Sequence, residues 1–136
     1  MTDKDKELLI KDICSRLPYD LVIDYNGIRT TLHDIKVFQL YDSDDIKDYN
    51  CLIDIFRDDD YVDVENIKPY LFPLSSMTEE QKIIYGDFCY AIIHSLAWDM
   101  QTELNDLIDW FNKNHFDYRG LIEKGLAIDA TGLNIY

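Results

Sequence analysis

The sequence predicts an α+β fold: an N-terminal helix, then an antiparallel β-meander of three to five strands, then a C-terminal helical segment packed on the sheet. Three patterns predict it. Apolar residues recur at helical spacing before residue 18, alternate on both sides of an Asn-Gly dipeptide, and recur at every fourth position after residue 78. At 136 residues the chain has the usual size of one domain, so we predict a single domain over residues 1 to 136.

The first element is predicted to be an amphipathic helix over residues 3–16. Leu9, Ile13 and Leu17 are spaced four residues apart, with charged side chains between them, so one face of the helix would be apolar. Pro18 follows, and a proline inside a helix removes a hydrogen bond and clashes with the preceding turn. The helix should therefore end before this proline and pack by its apolar face.

A tight hairpin is predicted at Asn26 and Gly27. The residues on both sides alternate between apolar and polar side chains, as half-buried strands do. Both central residues of a type I′ turn have positive φ, which Asn and Gly adopt readily. This turn would place Tyr25 opposite Ile28 on the two strands.

Further strand-like segments complete the predicted meander. Alternation resumes at 36–41, stops in an acidic loop over 42–48, and returns at 51–56 and 61–64. The segment 68–73 contains two prolines, which lack the N–H that a strand donates to its neighbour. We therefore interpret 68–73 as an ordered linker that leads from the sheet to the helices.

The second half of the chain predicts two helices. Thr78 and Gln81 match a capping box, and an apolar stripe at every fourth position follows them. A single helix over the whole stripe would have about 35 residues, against a mean near 11 or 12, so we predict a break at 99–102. A short final helix is predicted at 117–124 and a last strand at 126–128.

The chain is strongly acidic, with a formal net charge of −14. Ten acids and only two bases lie in residues 42–65. Direct binding of nucleic acid needs clustered Lys and Arg, which replace the counterions of the phosphates, so we do not expect it. An acidic surface attracts a basic one, and a basic protein is the partner that this charge favours.

The sequence also indicates a cellular compartment. No stretch approaches the roughly 20 apolar residues of a membrane span, and the first residues are charged rather than apolar as in a secretion signal. The three cysteines are 37 and 38 residues apart and lack metal-binding spacing, which is typical of a reducing compartment. We therefore expect a cytoplasmic protein that does not bind a membrane.

The acids Asp58, Asp59, Asp60 and Asp63 carry oxygen atoms of the kind that Ca²⁺ and Mg²⁺ bind. A calcium loop requires alternating acids, a glycine at its sixth position and a glutamate at its twelfth, and this segment lacks that pattern. We interpret it as a solvated turn and assign no metal ligand. These four residues remain candidates for an interaction surface.

His33, His94 and His115 are the side chains best suited to proton transfer near neutral pH. No short spacing joins them, and the sequence has no HExxH, GxSxG, phosphate-binding loop or GxGxxG pattern. We assign no catalytic residue and no cofactor. A histidine in one cleft with Asp54 or Asp63 would favour an Asp- and His-dependent hydrolase.

The most distinctive run is 109–120, which mixes aromatic rings with polar groups. Trp110, His115, Tyr118 and Arg119 include the aromatic and arginine anchors that dominate affinity at protein interfaces. The same composition also fits a helix end that folds back on the sheet with its rings in the core. Both interpretations stay open, and these four residues join the acidic ones as the candidate interaction surface.

Three blocks of the sequence resemble a known family. They are 6–19 (KELLIKDICSRLPY), 67–81 (IKPYLFPLSSMTEEQ) and 108–127 (IDWFNKNHFDYRGLIEKGLA). Together they resemble a family of short uncharacterised proteins encoded by gut bacteria and their phages or prophages. That family has no assigned activity, so the resemblance implies a link to phages or prophages and no site residue.

These patterns lead to one main hypothesis and three alternatives. The main hypothesis is a non-enzymatic accessory or interaction protein that binds a protein partner. The alternatives are a small Asp- and His-dependent hydrolase, with or without a metal; an acidic mimic of nucleic acid that occupies a DNA- or RNA-binding protein; and a structural component that self-assembles through its apolar stripes. The oligomeric state is not predicted.

Overall fold

The structure is a computed structural model that describes residues 1–42, 45–54, 61–95 and 99–136. Within these ranges, residues 36–42, 45–54 and 61 are described by their backbone alone. The fold is α+β, with an N-terminal helix, strands in two sheets, and two further helices. The predicted fold class is therefore confirmed at this level, and its details differ as follows.

Helix α1 spans Asp3–Arg16, which confirms the predicted bounds. Its N-terminus is closed by a capping box, in which the Asp5 N–H donates to Thr2 Oγ1 at 3.1 Å. Pro18 lies in a 3₁₀ turn directly after the helix. The apolar face buries Leu9 and Ile13 completely.

Strands β1 (Val22–Tyr25) and β2 (Ile28–Thr31) form the predicted hairpin, with Tyr25 opposite Ile28. Asn26 has a φ of 50° and Gly27 a φ of 85°, so both central residues are left-handed, as a type I′ turn requires. The prediction from the Asn-Gly dipeptide is therefore confirmed in both turn and register.

A second, antiparallel sheet contains β3 (Asp34–Asp42), β4 (Asp45–Asp54) and β5 (Tyr61–Asp63), in that order. The predicted acidic loop over 42–48 is wrong, because β3 continues to Asp42 and β4 begins at Asp45. Backbone pairing across the hairpin therefore includes several of the acids. Residues 55 and 56, which close the predicted strand 51–56, lie outside the described residues.

Strand β6 (Ile67–Pro73) corrects the interpretation of 68–73 as a linker. It pairs antiparallel with β1 through residues 67–69, and parallel partners join it only from Tyr70 onward. At Pro69, therefore, one edge of β6 has no partner strand among the described residues. On that edge no neighbouring strand would accept a hydrogen bond, so the N–H that proline lacks costs the sheet nothing. Pro73 is tolerated because it is the last residue of the strand.

Two short strands, β7 (Phe116–Asp117) and β8 (Ile128–Asp129), pair parallel with β6. The sheet is thus mixed, and the prediction of a purely antiparallel meander is wrong. The chain forms β1 and β2, leaves for the second sheet, and returns as β6 beside β1. The predicted last strand over 126–128 overlaps β8 by one residue.

The predicted helix over 117–124 is also wrong. The Asp117 carboxylate accepts hydrogen bonds from the backbone N–H groups of Leu121 and Ile122, both at 2.9 Å, and so holds a turn instead. Gly120, in the middle of the predicted helix, has a φ of 74°, outside the helical region. The segment is a series of turns on the way to β8.

Helices α2 (Glu79–His94) and α3 (Met100–Lys113) confirm the prediction of two helices in the second half. The predicted capping box is present, since the Gln81 N–H donates to Thr78 Oγ1 at 3.2 Å and the Thr78 N–H donates to Gln81 Oε1 at 2.9 Å. The break overlaps the predicted 99–102 only at Asp99, because α2 ends at His94 and α3 has already begun at Met100.

Among the side chains that the structure describes, the buried ones form two clusters. The larger one joins α1, the first sheet and the turns before β8; its fully buried members include Leu9, Ile13, Leu21, Ile23, Leu71 and Leu121. The smaller cluster, of Met77, Phe111 and Phe116, joins the C-terminal half of α3 to the same sheet. Among the described residues, no helix has the length and apolar character to cross a membrane.

Candidate functional site

Three features of the molecule are candidates for a site: a buried ion cluster, a cavity at His115, and an exposed face of α2. The ion cluster is centred on Asp12 and Arg16, which are four residues apart on α1 and fully buried. Arg16 binds the Asp12 carboxylate with two nitrogens, at 2.8 and 3.0 Å, and donates from Nη2 to the carbonyl of Phe116 at 2.7 Å. This arrangement ties α1 to β7 across the core.

Arg119 and Tyr118 complete the ion cluster. Arg119 Nε lies 3.2 Å from Asp12 Oδ1, and its Nη2 donates to the Tyr118 hydroxyl at 3.0 Å. The guanidinium carbons of Arg16 and Arg119 lie 5.2 and 4.9 Å from the centre of the Tyr118 ring, within cation–π range. The Tyr118 hydroxyl donates to Asn112 Oδ1 at 2.9 Å. Tyr118 and Arg119, predicted as interaction residues, thus also have structural contacts.

His115 lies at the end of α3 in an unusual backbone conformation. Its φ is 60°, in the left-handed region, and its carbonyl accepts from the Phe72 N–H at 2.8 Å. Its ring stacks on Tyr136, with 3.6 Å between ring centres and 8° between planes. Among the described residues, buried Nδ1 has no hydrogen-bond partner. Burial, and then the charge of Arg16, lower the pKa of His115 to about 4.

A cavity of about 400 Å³ opens beside this ring. Its walls include Phe72, Ser76, Thr78, Lys113, His115 and Tyr136. The Tyr136 hydroxyl donates to the carbonyl of Tyr70 at 2.8 Å and accepts from the Val22 N–H at 3.0 Å. Burial raises the pKa of Tyr136 to about 12, so this hydroxyl stays protonated at neutral pH.

The cavity is poorly equipped for acid–base catalysis at neutral pH. A histidine with a pKa near 4 stays neutral and is a weak base, and a tyrosine with a pKa near 12 is a weak acid. The Ser76 hydroxyl donates to the carbonyl of Pro73 at 2.7 Å rather than to a base. Gln81 lines the cavity, and His94 follows it by 13 residues on α2, about 20 Å farther along the helix axis.

The lowered pKa of His115 predicts that the stability of the fold depends on pH. Its pKa is about 4 in the folded protein and near 6.5 in the unfolded chain, so the unfolded chain binds more protons between these values. The neutral imidazole therefore contributes its full share to the free energy of unfolding above pH 6.5. As the pH falls to 4 this contribution is lost, and the free energy of unfolding decreases by about 3 kcal/mol in total.

We expect a His115→Asn variant, which keeps a residue type that tolerates positive φ, to lack this part of the dependence. Urea unfolding at several pH values measures it as the difference between the two proteins. A His94→Asn variant is the control, because the His94 side chain is exposed. Parallel curves for wild type and His115→Asn would contradict the assignment.

The acidic candidates lie elsewhere. Asp63 accepts from the Glu65 N–H at 3.0 Å, and both carboxylates lie within 4.0 Å of Lys6 on α1, at 3.9 and 3.5 Å. Lys6 and Asp12 are six residues apart, so Asp63 and the ion cluster meet α1 about 9 Å from each other along its axis. Asp58, Asp59 and Asp60 lie outside the described residues. Within the described part of the chain, no three acidic, histidine or cysteine side chains form a metal-binding group.

Trp110 is half-buried on the inner side of α3. Its ring lies 5.4 Å from that of Phe116 and 5.8 Å from that of Phe88 on α2. Phe111 and Phe116 are buried. For these rings the interpretation as a folded-back helix end is the one that the packing supports.

The largest feature that the sequence reasoning missed is the solvent-facing side of α2. None of the sixteen residues of this helix, all of them described, is buried. The side that contacts α3 carries Tyr85 and Phe88, whose rings lie 5.9 and 5.8 Å from Phe111 and Trp110.

The opposite side of α2 is apolar as well. At 100° per residue, Ile83 and Tyr90 point about 180° away from the contact with α3. Ile83 is 67% exposed, Tyr90 67% and Ile93 76%. We define Ile83, Gly86, Tyr90 and Ile93 as the outer face of α2. Its signal in the sequence is the spacing of three, four and three residues, a second stripe beside the one at every fourth position.

No family model, no curated protein and no solved structure matches this chain. The site is therefore interpreted from its geometry.

Proposed function

We propose that the protein is a non-enzymatic interaction protein that binds a protein partner through the outer face of α2. The observation that carries the proposal is the exposure of Ile83, Tyr90 and Ile93 on a helix whose other side already packs on α3. A helix that is apolar on all sides is normally buried on all sides. Here one side remains open, and contiguous exposed apolar residues mark interaction sites.

The composition of the outer face supports the same function. Isoleucine and tyrosine side chains bury large areas, and tyrosine is enriched among residues that dominate binding energy. The chemistry of the cavity at His115 points away from catalysis, because the neutral imidazole and the protonated Tyr136 hydroxyl lack the pKa values that proton transfer at neutral pH requires.

Comparative capture tests the proposal. Tagged wild type is used to isolate bound proteins from host lysate, in parallel with Ile93→Asp, which places a charge in the outer face. The matched control is Ile28→Asp, because Ile28 is also an exposed isoleucine, 50% accessible, and lies on β2. We expect a specific protein that wild type and Ile28→Asp retain and that Ile93→Asp loses by tenfold or more, equivalent to about 1.4 kcal/mol. Equal retention by all three would contradict the proposal.

A further inference from the structure

The outer face of α2 has the residue spacing of a helix–helix seam. Ile83, Gly86, Tyr90 and Ile93 follow one another at three, four and three residues, which are the a and d positions of a heptad. In such a seam each large side chain inserts between residues of the facing helix. No described residue supplies the facing helix, since the three large side chains are each more than 60% exposed.

The seam is complementary to itself when two copies run antiparallel. Ile83 and Ile93 lie five residues before and after Phe88, and Gly86 and Tyr90 lie two residues before and after it. A two-fold axis near residue 88 therefore places each Ile83 opposite the partner's Ile93, and each Tyr90 opposite the partner's Gly86. Every large side chain of the seam then faces either another isoleucine or a glycine.

The antiparallel register depends on the missing side chain at Gly86. A Cβ added at Gly86 would meet no atom within 4 Å, so the glycine leaves an open gap on the helix surface that no described residue requires. Glycine in the middle of a helix is less favourable than alanine. The antiparallel pairing explains the gap, because a tyrosine ring of the second copy would fill it.

We propose that the partner of the outer face is a second copy of this chain, paired antiparallel through α2 about a two-fold axis near residue 88. This inference rests on the proposed function and names its partner. A dimer that covers the outer faces of both copies and the residues at their edges would bury on the order of 1,000 Å² of surface. This area is at the lower limit of specific interfaces. We therefore expect a dimer that depends on concentration rather than an obligate one.

Charge sets the salt dependence of this dimer. Each copy carries a formal charge of −14, and Asp87 lies beside the seam, close to its own symmetry mate. Both effects oppose pairing and both are screened by salt. The dimer should therefore tighten as the salt concentration rises, whereas a complex with a basic foreign protein should weaken.

A charge-pair experiment tests the register. Ile83→Glu, Ile93→Lys and the double variant Ile83→Glu/Ile93→Lys are compared with wild type by sedimentation equilibrium over a range of concentrations and at low and high salt. Wild type should approach twice 16.1 kDa, and each single variant should weaken association by about tenfold or more. In the double variant each glutamate faces a lysine of the other copy, so association should return toward the wild-type value. Parallel pairing would place like charges together and would weaken it further.

The Gly86→Gln variant distinguishes an effect on folding from an effect on dimerisation. A good helix former at this exposed position should raise the Tm of the monomer by roughly 2–4 °C, and the same side chain should block the gap for Tyr90 and weaken the dimer. A variant that fails to dimerise although it is more stable cannot be explained by misfolding.

The outcomes distinguish this inference from the proposed function. A wild type that stays monomeric at all concentrations, or a double variant that stays dissociated, overturns the homodimer. If Ile93→Asp then still loses a captured foreign protein, the outer face remains an interaction surface with a different partner. If it loses nothing, both proposals fail.

Discussion

Replacing Arg16 by methionine is expected to destabilise the fold by about 3–5 kcal/mol, which is a large part of the total stability of a domain of this size. Arg16 is fully buried and bonded to both Asp12 carboxylate oxygens and to the carbonyl of Phe116. Without it, Arg119, 3.2 Å away, is the one charged neighbour that the buried Asp12 keeps among the described side chains. The measurement is the free energy of unfolding from urea titration, with an unchanged m-value as the test of two-state behaviour.

Two further variants define the source of the loss. Asp12→Leu/Arg16→Met removes both fully buried charges together, and we expect it to recover part of the loss, because an uncompensated buried charge is worse than none. The recovery is partial because Arg119 loses its carboxylate and the Phe116 carbonyl loses its donor. Arg29→Met is the matched control, since Arg29 is exposed on β2 and its guanidinium carbon lies 5.3 Å from the centre of the Tyr70 ring. A loss at Arg16→Met no greater than at Arg29→Met would show that the cluster does not stabilise the fold.

Replacing Phe116 by alanine is expected to cost about 3–5 kcal/mol. Its side chain is 1% exposed, and its ring lies 5.4 Å from Trp110 and 6.3 Å from Phe111. The residue also belongs to β7, whose pairing with β6 holds the end of α3 against the sheet. The smaller side chain would leave a cavity at this junction, and thermal or urea unfolding measures the loss.

Phe88→Ala provides the comparison for this prediction. Phe88 also touches Trp110, at 5.8 Å, but it is half-buried on the exposed helix α2, so less apolar surface and little packing are lost. We expect a loss nearer 1–2 kcal/mol. Equal losses at the two positions would mean that the core does not extend through Phe116 as described.

The elements that could be predicted from the sequence are those whose signal is local. The Asn-Gly turn, the helix over residues 3–16 and the capping box at Thr78 each depend on residues within a few positions of each other, and all three are present. The register of the hairpin follows from its turn for the same reason.

The parts that could not be predicted depend on distant partners. The prolines of β6 argued against a strand, and only the position of β1, more than forty residues earlier, shows that Pro69 has a free edge. Strands β7 and β8 have two residues each, too few for a pattern. Asp117 acts on residues four and five positions later through its side chain, which composition does not distinguish from a helix start.

The same distinction between local signals and distant partners applies to the candidate site. Asp12 and Arg16 have helical spacing that the sequence displays, but Arg119, which also contacts Asp12, is more than a hundred residues away. The sequence contains both apolar stripes of α2, but only the stripe at every fourth position was predicted. Which stripe is covered depends on where α3 packs, and the ring contacts of Tyr85 and Phe88 decide it.

Site-specific photo-crosslinking at position 90 tests the central claim most directly. A photo-reactive amino acid replaces Tyr90 in one protein and Ile28, the exposed residue on β2, in the other, and each is irradiated in host cells. We predict a discrete adduct at position 90 and none at position 28, with a mass that identifies either a second copy or a foreign protein. No adduct at position 90, or the same adducts at both positions, would show that the outer face of α2 is not a protein-binding surface.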